Sequence, residues 1–83
     1  MKLGAYSLQK VLFQGDAKSV NCPTTSGEIT ILAGHEPLIS MLKKGIVKII
    51  DNDAKDHYVE IGSGFVEVRA GGEVKVLVEE GGR

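Results

Sequence analysis

The apolar residues of this chain fall into short runs, β-branched or alternating with polar residues. Each run is closed by glycine, proline or a cluster of Asp and Asn. No stretch sustains apolar residues at i, i+3, i+4 and i+7 over three turns. An ordinary amphipathic helix is therefore excluded, and the pattern is that of an all-β sandwich or barrel. The one patch with helical clustering is Pro37 to Lys43, where Leu38, Ile39, Met41 and Leu42 lie close together. Confined between Gly34 and Gly45, it is expected to form no more than a short turn.

Candidate strands are Lys2–Leu8, Val11–Phe13, Ala17–Cys22, Glu28–Leu32, Gly45–Asp51, His57–Ile61, Phe65–Arg69 and Glu73–Glu79. Val66 and Val68 share one face of their strand, with Phe65, Glu67 and Arg69 on the other. Val74, Val76 and Val78 share a face of the last strand. Ala70-Gly71-Gly72 joins these two strands in a tight hairpin, because glycine tolerates the positive φ such turns need. The aromatics are only Tyr6, Phe13, Tyr58 and Phe65, so the core must come from Val, Ile and Leu. A chain of 83 residues allows one domain, expected over residues 1–79, with a mobile tail over 80–83.

Ten basic residues against eleven acidic ones leave a net charge of -1. Phosphate binding needs a basic excess on one face, so nucleic acid is an unsuitable partner. The segment Met1-Lys2-Leu3-Gly4-Ala5-Tyr6-Ser7 has no long apolar run after its lysine and does not read as a signal peptide. No window approaches the roughly 18 apolar residues of a membrane span, so membrane association is expected only through a protein partner. Cys22 is the single cysteine, which excludes an intrachain disulfide and suits a reducing compartment.

Catalytic chemistry finds little support. Asp51, Asp53, Asp56 and His57 sit close together, but the fifth and sixth positions of the run are Lys55 and Asp56. A calcium loop wants an oxygen ligand and then glycine there, so the run reads as a solvated hairpin turn. Ser63, in Gly62-Ser63-Gly64, lacks the G-x-S-x-G spacing and the following helix of a nucleophile elbow; a plain turn is expected. Cys22, beside Pro23, has no neighbouring base and reads as a buried structural thiol. His35 and His57 have too few partners for a zinc site. No catalytic residue, cofactor or metal is expected.

The loop after Glu28–Leu32 is less ordinary. Gly34-His35-Glu36-Pro37 separates two apolar runs. It is either a surface turn fixed by Pro37 or a partner-facing loop that presents Glu28, His35, Leu38 and Ile39.

Blocks of this sequence, in order over nearly its whole length, resemble the epsilon subunit of F-type ATP synthases. They are Val11-Leu12-Phe13-x-Gly15, Pro23-Thr24-Thr25-Ser26-Gly27-Glu28-Ile29-Thr30-Ile31-Leu32, Gly34-His35-Glu36-Pro37-Leu38 with Leu42-Lys43-x-Gly45, Gly62-Ser63-Gly64-Phe65-Val66-Glu67-Val68, and Val74-x-Val76-Leu77. The Gly-His-x-Pro-Leu block is the most specific. The resemblance implies a flattened β-sandwich of about ten short strands at the foot of the central stalk. It would pack on the gamma subunit, touch the polar loops of the c-ring, and couple proton- or sodium-driven rotation to the catalytic head without catalysing anything. Glu28 and His35 match positions facing the ring loops or the gamma base; Ser7 and Ser40 match positions near gamma, and Leu38 lies in the same block. The resemblance further implies a peripheral protein on the cytoplasmic face of a bacterial inner membrane, or on an organellar inner or thylakoid membrane. A free-standing β-sandwich module that binds some unrelated protein is the alternative.

Three departures stand out. The opening Leu3-Gly4-Ala5-Tyr6 lacks the usual apolar strand pattern of that edge. Ala33 occupies a position where many members have proline. Typical members also continue into a C-terminal helical hairpin, whereas this sequence stops just after the last strand. Without those helices the chain is expected to couple rotation but not to inhibit ATP hydrolysis by helix insertion. Hydrolysis assays on the complex with and without it check this, and strong inhibition by the 83-residue form would refute it.

Overall fold

The computed structural model describes residues 1–81 and is built from strands: β1 (Lys2–Tyr6), β2 (Val11–Thr24), β3 (Gly27–Leu32), β4 (Leu38–Leu42), β5 (Gly45–Asp51), β6 (Asp56–Arg69) and β7 (Glu73–Glu80). All ladders are antiparallel except that of β1 with β7. The all-β class expected from the apolar patterning is the class observed.

Seven strands do the work of the expected ten because two of them serve both layers. β2 and β6 are each 14 residues long. The first half of β2 pairs with β1, and its second half with β3 and β5. The first half of β6 pairs with β5, and its second half with β4 and β7. One layer is therefore β3, late β2, β5 and early β6. The other is early β2, β1, β7, late β6 and β4. Thr24 opposite Leu42 ties β4 back to β2 and helps close the sandwich along one side. The extents of 32 × 25 × 20 Å fit two sheets about 10 Å apart plus their outer side chains.

Three expectations are corrected. Val11–Phe13 and Ala17–Cys22 are one strand, which passes through Gly15 and runs on to Thr24. Gly62-Ser63-Gly64 is not a turn but the crossover within β6. Ile61 faces Glu80 while Gly64 faces Val78, so β6 holds one extra residue there. Such a bulge bends the strand into the second layer. Pro37 to Lys43 contains no helical turn: Leu38–Leu42 is β4, paired residue for residue with Val68 to Gly64. Its apolar clustering comes from a strand with apolar residues on both faces, which short windows cannot distinguish from a helix. β7 extends one residue beyond expectation, to Glu80, and the Gly81 N–H donates to the Glu60 carbonyl at 3.3 Å. Residues 82 and 83 of the expected tail lie outside the described residues.

The core is aliphatic, as the scarcity of aromatics required. Ile31, Leu42, Ile49, Ile61, Val20, Val47, Val66, Val74 and Val76 are its largest fully buried apolar side chains. The Ala70–Gly72 hairpin forms as expected, with Gly71 and Gly72 at φ +95° and +87°. Cys22 is fully buried, and burial pushes its thiol up to about 12, which leaves it protonated and inert. Thr24 is the one buried polar side chain among the described residues. Its hydroxyl donates to the Gly27 carbonyl and accepts from the Ser26 N–H at 3.1 Å, fixing the β2–β3 turn.

Candidate functional site

The alternation of side chains along each strand sends one set into the sandwich and the other to solvent. On the layer of β3, late β2, β5 and early β6, the outer face is mixed, with Leu32, Ile46 and Tyr58 exposed among polar side chains. Asn21 Nδ2 donates to Thr30 Oγ1 at 2.9 Å, and Lys48 lies 4.0 Å from Asp56 and over the Tyr58 ring at 5.9 Å.

The outer face of the other layer differs. Met41 on β4 stands opposite Phe65 on β6, Phe65 opposite Leu77 on β7, Leu77 beside Tyr6 on β1, and Tyr6 opposite Val11 on β2. Directly paired residues point to the same side of a sheet. These five therefore form one unbroken apolar row across five strands, about 19 Å long at roughly 4.8 Å per strand. Met41 is 60% exposed, Val11 53%, and Phe65 and Leu77 38% each; Ile39, one register away, is 69% exposed. Polar residues border the row. Glu67 pairs with Lys75, and the Arg69 guanidinium lies 3.3 Å from Glu67 and 3.5 Å from Glu73. An apolar centre with a charged rim is the anatomy of a protein–protein interface.

The sequence-derived candidates fall in three places. Glu28 is exposed on β3, opposite Pro23 near the β2–β3 turn. His35 is exposed in the loop between β3 and β4, beyond the other end of β3. Its N–H donates to the Leu32 carbonyl at 3.0 Å, and its ring Nδ1 lies 2.7 Å from the Glu36 carbonyl. The stretch of β3 from Glu28 to Leu32 alone spans about 13 Å, so the two residues share an edge of the sandwich without touching. Leu38 and Ser40 sit together on β4 but on its inner face, opposite the core residues Val68 and Val66. The residues that β4 shows to solvent are Ile39 and Met41. Ser7 lies at the β1–β2 turn, where its hydroxyl donates to Glu80 Oε2 at 2.9 Å.

At the β5–β6 hairpin, Asp51 organises the polar turn. Its carboxylate accepts from His57 Nε2 at 2.8 Å and from the N–H groups of Lys55 and Asp53 at 2.9 Å each. Phe13 packs edge-on against the His57 ring, with centroids 5.1 Å apart. The His57 bond, then the Lys55 and Asp53 amides, hold the Asp51 carboxyl below its ordinary value of 3.8. A carboxyl with a depressed folded value stabilises the fold fully above 3.8, and that contribution is lost as pH falls through the lower folded value. Asp51→Asn is therefore expected to lower the urea midpoint at neutral pH and to flatten its decline below about pH 4. Urea titrations from pH 2 to 7 check this, and parallel acid limbs for the two proteins would refute it.

A family model described as "ATP synthase, Delta/Epsilon chain, beta-sandwich domain" matches residues 1–82. The chain belongs to this family. It is 37% identical over 71 residues to an ATP synthase epsilon chain of Bordetella petrii, covering 86% of this chain and 50% of that relative. The Bordetella avium epsilon chain is 42% identical over 65 residues, covering 78% and 46%. The chain thus spans about half the length of the curated relatives it matches. Among solved structures, a chain in the Euglena gracilis mitochondrial ATP synthase, OSCP/F1/c-ring in rotational state 1, superposes with a TM-score of 0.88 at 26% identity. That superposition covers 94% of this chain and 49% of the other. A chain of the Tetrahymena thermophila mitochondrial ATP synthase central stalk/c-ring shares the fold, with a TM-score of 0.82 at 16% identity over 96% of this chain and 63% of that one.

Proposed function

We propose that this sandwich is a non-catalytic coupling element in the central stalk of an F-type ATP synthase, seated between the gamma subunit and the c-ring. The observation that carries the reading is the apolar row from Met41 to Val11, on a chain whose structural relative comes from an assembly containing F1 and a c-ring. Gamma covers that row. Leu38 and Ser40 support it from the inner face of β4, and Ser7 pins its corner. The edge carrying Glu28 and His35 is left free for the polar ring loops.

The work of such an element is mechanical. A close-packed aliphatic interior resists deformation, so torque applied at one edge reaches the other face without being lost to internal rearrangement. The chain meets the membrane only through the complex. Bacterial relatives support a location on the cytoplasmic face of an inner membrane. Co-elution with purified gamma subunit from the same organism tests the reading. A one-to-one complex is expected at micromolar concentrations. A folded monomeric chain that forms no complex there would refute it.

A further inference from the structure

We propose that the Ser7–Lys10 turn presents Leu8 as an apolar anchor that enters a socket on the subunit covering the row, with Ser7 as the positioning residue. The inference rests on the proposed function and deepens it. It names a contact outside the row and the chemistry of the surface that meets it.

Leu8 is 98% exposed, more than any other large apolar side chain among the described residues. Single exposed apolar residues are common, but this one does not sit on a loose loop. The Ser7 N–H donates to the Lys10 carbonyl at 3.0 Å, closing the turn. Ser7 Oγ accepts from the Gln9 and Lys10 N–H groups at 3.2 Å each. Its proton is directed at Glu80 Oε2 on β7. A hydroxyl has one proton and two lone pairs, so Ser7 has no hydrogen bond left for a partner. What it does is hold the turn, to its own amides and to β7.

The turn links Tyr6 and Val11, which face each other at the end of the apolar row. Leu8 therefore stands on the turn that borders this end of the row. A turn whose backbone is already fixed loses little backbone freedom on docking. Lys10, exposed and in no ion pair among the described residues, puts a positive charge beside it. The matching surface is an aliphatic or aromatic socket with a carboxylate on its rim.

Calorimetric titration of purified gamma subunit with the chain and four variants tests the proposal. Leu8→Ala is expected to weaken binding about tenfold and Leu8→Asp further, in the range of truncated interface anchors. Both should keep the wild-type urea midpoint, because the side chain is in solvent. Ser7→Ala should weaken binding less and speed amide exchange at Gln9 and Lys10, and Ser7→Thr should restore both. A wild-type complex indifferent to both Leu8 variants overturns this inference and leaves the proposed function standing. Absence of any wild-type complex overturns both.

Discussion

Gly64→Ala is expected to destabilise the sandwich by about 3 kcal/mol, at the upper end of what a single added methyl costs in a packed site. Gly64 sits where β6 leaves its bulge and crosses into the second layer. A Cβ at this position would meet the Leu77 carbonyl oxygen, with the Val78 Cα at 2.7 Å and Val78 Cγ1 at 2.8 Å. Two of these three are backbone atoms of the paired strand, so no rotamer change relieves the overlap. β6 and β7 would have to separate where each also contributes valines to the core. A domain of this length has a total stability on the order of 4–12 kcal/mol, so the loss is a large fraction of the whole. Ser63→Ala, one residue away and exposed, is the control and should be nearly neutral. Urea midpoints decide it. Equal midpoints for Gly64→Ala and wild type would mean the bulge adapts freely and the crossover is not what requires glycine.

Phe65→Glu is expected to weaken binding to the gamma subunit about a hundredfold while leaving the fold intact. Phe65 stands second from the β4 end of the five-strand apolar row, between Met41 and Leu77, and is 38% exposed. Aromatic residues near the middle of an apolar patch carry a large share of association energy. A carboxylate there would be desolvated on docking with no cation provided for it. Tyr58→Ser, on the outer face of the other layer and 63% exposed, controls for general surface effects and should bind as wild type. Titration calorimetry and thermal melts on the same samples separate binding from folding. Wild-type affinity in folded Phe65→Glu would remove the row from the interface.

How much of this was legible in the sequence varied by element. Gly71 and Gly72 announced their hairpin because a turn of positive φ is a local demand that few residues meet. The valines of β7 announced their buried face because alternation is complete within one strand. β4 was not legible in the same way. Leu38, Ile39, Met41 and Leu42 put apolar side chains on both sides of the strand, so nothing local said which side faced the core. The inner positions of Leu38 and Ser40, and the outer ones of Ile39 and Met41, are settled only by pairing with β6. Gly62-Ser63-Gly64 misled for a related reason: the same glycines suit a chain reversal or a bulge, and only the register with β7 distinguishes them.

By itself the sequence determined the class of fold, the aliphatic core, the buried thiol at Cys22, and membership in a family through blocks such as Gly34-His35-Glu36-Pro37-Leu38. Each depends on residue type and spacing within a strand or a loop, where the backbone's own geometry does the selecting. The tertiary structure alone decided the apolar row. Met41, Phe65, Leu77, Tyr6 and Val11 come from five strands scattered along the chain, and they line up only because four separate ladders hold them in register. Register between distant strands is set by how both sheets close over a common core, and no short window of sequence contains that information.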